Sequence, residues 1–289
     1  MGTTRADVLV TADDLAAALV EDDPPVLLDV RWALGRTDGH ERYLAGHLPG
    51  AVYVDLDTEL AAPPSPAVGR HPLPAPADLE ASARRWGVRE GSVVVVYDDA
   101  GGMSAARAWW LLRWAGLAAV RLLDGGLAAW TAGGRSLAAG AVVPEPGDLV
   151  VRPGALATID ADAAASWPGA LLDARAAERY AGLVEPVDPR AGHIPGAVSA
   201  PTAGNLLPDG RFAPDDALRA RFAALAGTVA STAAPVASLA GPVAVYCGSG
   251  VTAAHEIAAL AAVGVEAALY PGSWSEWSSD PARPVATGA

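Results

Sequence analysis

A single cysteine, Cys247, stands where the sequence could support nucleophilic chemistry. It ends a short apolar run in "VAVYCGSGVTAAHE" (243–256), and two glycines, two hydroxyl residues and an alanine-rich helical pattern follow it. Gly248 and Gly250 allow the chain to turn tightly after a strand. A helix that begins near Thr252 directs free N–H groups and its positive dipole end back at the sulfur. These groups would stabilise a thiolate, the reactive form of cysteine. We therefore predict that Cys247 is a nucleophile and not a buried structural thiol.

A duplication organises the whole chain around this loop. Four pairs of landmarks occur in the same order, 144 to 149 positions apart: Asp29 and Asp173, His47 and His193, Tyr97 and Tyr246, Trp130 and Trp277. In each half, apolar runs typical of buried strands alternate with helical stretches. This pattern predicts an α/β fold with two tandem domains, each a mostly parallel sheet covered by helices on both faces. We predict an N-terminal domain over 1–140, a linker rich in Pro and Gly over 141–153, and a C-terminal domain over 154–289.

The first copy serves as an internal control for the second. It carries Asp98 where the second copy has Cys247, and a carboxylate there cannot act as a sulfur nucleophile. We therefore expect an inactive N-terminal domain and a catalytic C-terminal one. Features present in both halves are then interpreted as structural. His47 and His193 lie in the repeated "GH[LI]PGA" turn, and the aspartate that ends each "LLD" run is followed two residues later by arginine, as in an ion pair.

Composition excludes several classes of function. The net charge of −13 argues against a nucleic-acid partner, which would need a basic surface. One cysteine excludes an internal disulfide and a cysteine zinc cluster. The acidic N-terminal segment does not fit a signal peptide, and no stretch fits a membrane span, so we expect a cytoplasmic protein without membrane contact. The low-complexity stretch 224–241 is expected to be a surface loop.

The motifs together resemble the tandem-domain rhodanese superfamily of sulfurtransferases over about residues 8–285. They are the loop "CGSGVTA", "GHIPGA" before it, "GSWSEW" after it, and the N-terminal copy with aspartate in place of cysteine. Thiosulfate enzymes of this superfamily carry basic residues in the loop, which suits a dianionic donor. The loop here has no charge, and it is similar to that of the 3-mercaptopyruvate sulfurtransferases, whose donor is a monoanionic keto acid.

The resemblance also implies a set of site residues. Arg179 and Arg190, in the segment before "GHIPG", correspond to two arginines that bind the substrate's carboxylate and keto oxygen. Arginine suits that task because its planar fork binds a carboxylate with two hydrogen bonds. The loop residues are expected to contribute to the same substrate site: Gly248, Gly250, Val251 and Thr252.

A proton relay is the second implication of the resemblance. In the family a loop serine, here Ser249, is proposed to pass a proton with a histidine and an aspartate of the N-terminal domain, which correspond to His71 and Asp57. The run between Asp57 and His71 is a few residues longer than the usual pattern, so the geometry of this relay stays open. A second reading of Ser249 also stays open, in which it is present only because it is small.

The expected reaction is covalent catalysis through one sulfur. Cys247 takes sulfur from 3-mercaptopyruvate, releases pyruvate and holds a persulfide, which a thiol, cyanide or a thioredoxin-like protein then removes. No second cysteine can resolve the persulfide within the chain, and no metal or organic cofactor is required. The alternatives are a thiosulfate:cyanide sulfurtransferase and a sulfur-carrier module that does not turn over. A cysteine phosphatase is disfavoured, because no basic residue occurs between 247 and 254.

Overall fold

Each half of the chain builds its own parallel sheet in the computed structural model, which describes residues 3–229 and 241–288. The first sheet has the order β1-β5-β4-β2-β3 and the second the order β7-β6-β8-β9. The first consists of β1 (Leu9–Val10), β2 (Val26–Asp29), β3 (Val52–Tyr53), β4 (Val94–Tyr97) and β5 (Val120–Leu123). The second consists of β6 (Ala170–Asp173), β7 (Val198–Ser199), β8 (Val243–Tyr246) and β9 (Ala267–Leu269).

Helices cover these sheets, as the uninterrupted apolar strands require. The central strands β4 and β8 are buried along their whole length, which is possible only when both faces of a sheet are covered. The N-terminal half contains α1 (Arg5–Val8), α2 (Ala12–Ala18), α3 (Gly39–Ala45), α4 (Leu56–Glu59), α5 (Pro76–Arg85), α6 (Ala105–Trp114) and α7 (Gly126–Ala132). The C-terminal half contains α8 (Ala161–Ala165), α9 (Ala177–Tyr180), a 3₁₀ turn (Thr202–Asn205), α10 (Asp215–Val229), α11 (Thr252–Ala262) and α12 (Ser273–Trp277). The predicted fold class is confirmed.

Strand register places the two loops of interest at equivalent positions. Tyr97 is paired with Asp29 in the first sheet, and Tyr246 is paired with Asp173 in the second. Asp98 and Cys247 follow these tyrosines directly, so each lies at the carboxyl end of its central strand. Ligands bind at that end in open parallel sheets. The helices that follow the two loops, α6 and α11, pack against each other and join the domains.

The duplicated histidines and ion pairs support the fold, as the sequence predicts. His193 Nδ1 hydrogen-bonds the Tyr180 carbonyl at 2.8 Å and stacks on that tyrosine ring. His47 makes the same contact with the Tyr43 carbonyl at 2.9 Å. Asp173 pairs with Arg175 at 2.6 Å, and both side chains are buried. None of these groups lines the cavity beside Cys247 except Arg175.

The structure describes only part of the low-complexity stretch 224–241. Its first residues continue helix α10 as far as Val229, so the expectation of a loop is wrong there. Residues 230–240 lie outside the described part of the chain. Within the described ranges, no helix is long and apolar enough to cross a bilayer.

Candidate active site

The loop after β8 holds Cys247 almost fully buried, 1% exposed, with its sulfur hydrogen-bonded by the main chain. The Gly250 N–H donates to Cys247 Sγ at 3.1 Å. Gly250 has φ +78°, a conformation that side chains other than glycine rarely adopt, and a Cβ there would lie 2.6 Å from the Pro271 carbonyl oxygen. The N–H of Cys247 donates to Ser273 Oγ at 3.2 Å. The loop is thus held in a fixed curve around the sulfur.

Helix α12 holds the other side of the same loop. The Trp274 N–H donates to the Cys247 carbonyl at 2.9 Å, and the Ser275 N–H donates to the Gly248 carbonyl at the same distance. These bonds satisfy loop carbonyls that would otherwise be buried without partners. The "GSWSEW" motif therefore acts as a clamp on the cysteine loop, which explains its place in the pattern.

In the first copy, the equivalent loop directs its main-chain N–H groups at the side chain of Asp98. Asp98, fully buried, accepts four main-chain hydrogen bonds of 2.8–3.0 Å, from the amides of Ala100, Gly102, Ser104 and Ala105. Burial raises the pKa of Asp98, and the four amide bonds act against that shift. A strand, a tight loop and a helix start have therefore gathered N–H groups around one point. The equivalent point in the second copy is the Cys247 sulfur.

A cavity of about 580 Å³ opens over Cys247 between the two domains. The loop residues Gly248, Val251 and Thr252 line it, and Gly250 lies beneath the sulfur instead. The remaining walls come from both halves of the chain and include Trp32, Leu34, Arg70, Met103, Arg179 and Thr202. This volume suits a small organic molecule.

Two arginines face the cysteine loop, one from each domain. A methyl group built on Gly248 would lie 3.1 Å from Arg70 Nη2 and 3.4 Å from Arg179 Nη1. Both guanidinium groups pair with Asp188, and Arg179 also donates to Glu185 at 2.6 Å. The carboxylates hold the arginines in place and offset their charge, so the cavity mouth is close to neutral before an anion enters.

Arg190 lies away from the cavity, which corrects its sequence-based assignment to the substrate site. Its guanidinium donates to the main-chain carbonyls of Trp277, Ser278, Asp280 and Arg283, and Arg190 does not line the cavity. Its role here is to fix the chain that follows α12, because each of those carbonyls needs a donor. Arg70 provides the second cation at the cavity. The sequence offered one signal for Arg70, which is its place directly before His71.

Ser249, His71 and Asp57 form a hydrogen-bonded chain across the domain boundary. His71 Nδ1 lies 2.7 Å from Ser249 Oγ, and His71 Nε2 lies 3.1 Å from Asp57 Oδ1. An ionised carboxylate only accepts, so the ring carries its proton on Nε2 and its Nδ1 accepts from the Ser249 hydroxyl. Trp32 Nε1 donates to both oxygens of Asp57 at 3.0 Å and orients them. Trp32 is a residue that sequence reasoning missed.

The long run between Asp57 and His71 has a structural purpose. It reaches across to the C-terminal domain, where the Arg70 N–H donates to Ser275 Oγ at 3.0 Å. Gly69 packs so closely on Gly272 that a Cβ would lie 2.6 Å from the Gly272 carbonyl oxygen. The added length therefore carries Arg70 and His71 to the cavity and does not displace them from it.

His71 is neutral at pH 7 in this setting. Burial lowers its pKa below the ordinary value of 6.5, and the nearby cations Arg107 and Arg70 act in the same direction. Asp57 acts against this shift because its negative charge favours the protonated ring. A neutral ring with a free Nδ1 lone pair is the form that can accept a proton from Ser249.

Comparisons with known proteins agree with this geometry. Both halves match the rhodanese-like domain family, over residues 11–133 and 156–280, and the chain belongs to that family. A Pseudomonas aeruginosa protein named as a 3-mercaptopyruvate sulfurtransferase is 50% identical over 97% of this chain and 98% of its own length. A Mycobacterium tuberculosis protein named as a thiosulfate sulfurtransferase, SseB, is 48% identical over 98% of both chains.

A solved structure supports the same class. SseA from Escherichia coli, described as a 3-mercaptopyruvate sulfotransferase with the rhodanese fold, superposes with a TM-score of 0.78 at 35% identity. The match covers 92% of this chain and 98% of SseA. The chain is an enzyme of the sulfurtransferase kind, as its sequence predicts.

Proposed function

We propose that the enzyme takes sulfur from 3-mercaptopyruvate and passes it to an external acceptor through a persulfide on Cys247. The observation that carries this proposal is the position of Arg70 and Arg179 against Gly248, directly beside Cys247. A small α-keto acid whose carboxylate and keto oxygen meet these arginines would place its thiol over the cysteine sulfur. Such orientation can supply several kcal/mol of the barrier reduction, roughly 7–11 in well-aligned systems.

The first half-reaction breaks one bond and forms one. The Cys247 thiolate attacks the substrate sulfur, an S–S bond forms, and the electron pair of the C–S bond leaves on the CH₂ carbon as an enolate. That enolate takes a proton and departs as pyruvate. The persulfide S–H can supply this proton through the Ser249 hydroxyl, which His71 Nδ1 orients, so that atoms and charge balance. The loop amide of Gly250 stabilises the sulfur anion on either side of the step.

The second half-reaction needs a partner from outside the chain. Because Cys247 is the only cysteine, an external thiol, cyanide or a thioredoxin-like protein attacks the outer sulfur of the persulfide and restores the thiolate. We place this chemistry in the cytoplasm, where a reducing environment keeps an isolated cysteine as a thiol. The proposed steps of the first half-reaction use the residues around Cys247 and call for no metal or organic cofactor.

Thiosulfate is the second candidate donor, and one observation favours it. Two arginines could hold a dianion, and the M. tuberculosis relative is named for thiosulfate. Against it, Asp188 and Glu185 offset both cations at the cavity mouth, and the loop itself carries no charge. A monoanion therefore fits this balance better than a dianion does.

Steady-state kinetics with both donors, under one acceptor, test the choice. The proposal predicts a higher kcat/KM for 3-mercaptopyruvate, and a higher value for thiosulfate would overturn it. Pyruvate release by Cys247→Ser provides the companion test of the nucleophile. Release should fall to the uncatalysed level, since a serine hydroxyl at this position has no base against it. Undiminished release would refute the assignment of Cys247.

A further inference from the structure

A buried cation from the inactive domain lies beneath the cysteine loop. Arg107, on helix α6, is 0% exposed. Its donors all go to main-chain carbonyls: Leu60, His71, Pro72 and Gly250. Within the described residues no carboxylate lies within 4.0 Å of its guanidinium, although most arginines near the site have one. A buried charge without a partner of opposite sign is costly, so its persistence calls for an anion nearby.

A single glycine connects Arg107 to the sulfur of Cys247. Arg107 Nη1 donates to the Gly250 carbonyl at 3.2 Å, and the N–H of the same Gly250 donates to Cys247 Sγ at 3.1 Å. Burial lowers the pKa of Arg107 to about 10, and negative charge on Cys247 acts against that shift. Arg107 therefore stays protonated at neutral pH, and only Gly250 connects it to the sulfur.

The other charged groups around the sulfur cannot replace it. Arg70 and Arg179 face Cys247 from the cavity, but both are paired with Asp188. His71 reaches the loop only through Ser249 and is neutral at pH 7. Arg107 is thus the cation at this loop whose charge is not already offset by a carboxylate within the described chain.

The same arginine joins the three segments that make the site. Its Nε bonds the carbonyl of Leu60, just after the helix that carries Asp57, at 3.2 Å. Its Nη2 bonds the His71 carbonyl at 2.9 Å, and its Nη1 bonds the Gly250 carbonyl. One planar, five-donor group can hold four carbonyls on three segments, which a lysine cannot do with the same geometry.

We infer that Arg107 is a positioning residue and the buried counter-cation of Cys247, so that the N-terminal domain stabilises the anionic sulfur of the C-terminal one. This inference refines the proposed function but does not depend on the identity of the donor.

Alkylation of Cys247 by iodoacetamide tests the inference without any sulfur donor. The thiolate displaces iodide from the reagent, so the rate follows the ionised fraction of the thiol. Arg107→Gln and Arg107→Met should react at least tenfold more slowly than wild type near pH 7. The difference should vanish at high pH, where both thiols are ionised. A loss caused only by altered packing would be the same at every pH.

Two further variants make the result decisive. Arg107→Lys keeps the charge and should restore the pH profile of alkylation, while its sulfur transfer stays slower because the three segments are no longer held together. Arg113→Met is the matched control, since Arg113 lies on the same helix but contacts the Asp7 carbonyl and the Trp109 ring. Its alkylation should equal that of wild type.

The inference is overturned if a folded neutral variant is alkylated at the wild-type rate at pH 7, or if its slowing is independent of pH. A shifted alkylation profile in Arg107→Lys, which keeps the charge, would likewise contradict the role of the charge. Because no donor is present, failure of the 3-mercaptopyruvate assignment leaves these outcomes unaffected.

Discussion

Arg70 offers the sharpest test of the substrate site, because the sequence alone pointed to a different residue. We expect Arg70→Met to weaken the handling of 3-mercaptopyruvate. A hydrogen bond to a charged group is worth about 1.5–3 kcal/mol. The Arg70 side chain is 26% exposed and shares Asp188 with Arg179, so the lower part of that range applies. A loss of about 2 kcal/mol corresponds to roughly a thirtyfold fall in kcat/KM.

The assay separates binding from chemistry. The substrate carboxylate keeps its charge throughout the reaction, so the loss should appear mainly as a higher KM with a smaller change in kcat. Arg190→Met is the comparison: it should lower the melting temperature, because four carbonyls lose their donor, and leave KM within about twofold of wild type. A large rise in KM for the Arg190 variant, with none for Arg70→Met, would refute the arrangement of the cavity described here.

Three other outcomes are expected. Asp188→Asn removes a charge that offsets Arg70, so the ratio of kcat/KM for thiosulfate to that for 3-mercaptopyruvate should rise by about tenfold, and an unchanged ratio would count against the charge argument. Burial lowers the pKa of His71 below 6.5, so kcat should decline only as pH falls through that lowered value, and His71→Gln should lose this decline at low pH. Because the unfolded chain binds this proton more readily than the folded one, the free energy of unfolding should also fall as pH drops below 6.5. Asp98→Asn turns an amide NH₂ towards main-chain N–H donors and should cost about 2–3 kcal/mol of unfolding free energy, measured by denaturant titration.

Most of the fold could be predicted from the duplicated motifs. The last four residues of "SVVVVY", Val94–Tyr97, are buried, and the order of such apolar runs in each half defines a parallel sheet without further information. The equivalence of Asp98 and Cys247 was likewise readable, since both follow a tyrosine at the end of a strand. Ser249, His71 and Asp57 are brought together as the family resemblance implied, although their role in proton transfer stays a prediction.

Where the sequence-based site was wrong or incomplete, the residue positions depend on how the two domains meet. Arg70 reaches the cavity only because the loop before His71 crosses to Ser275, and no local pattern encodes that crossing. Arg190 stands close to the "GHIPG" motif along the chain, yet its side chain follows the carbonyls after α12. Trp32 and Arg107 look like ordinary packing residues in a sequence, because their contacts with Asp57 and Gly250 are long-range.

The most direct measurement is the intact mass of the protein after 3-mercaptopyruvate is added without an acceptor. We predict that wild-type protein gains one sulfur atom, that cyanide or a thiol removes it, and that Cys247→Ser gains none. A wild-type mass that stays constant while pyruvate is released, or a sulfur atom retained on the serine variant, would contradict transfer through Cys247.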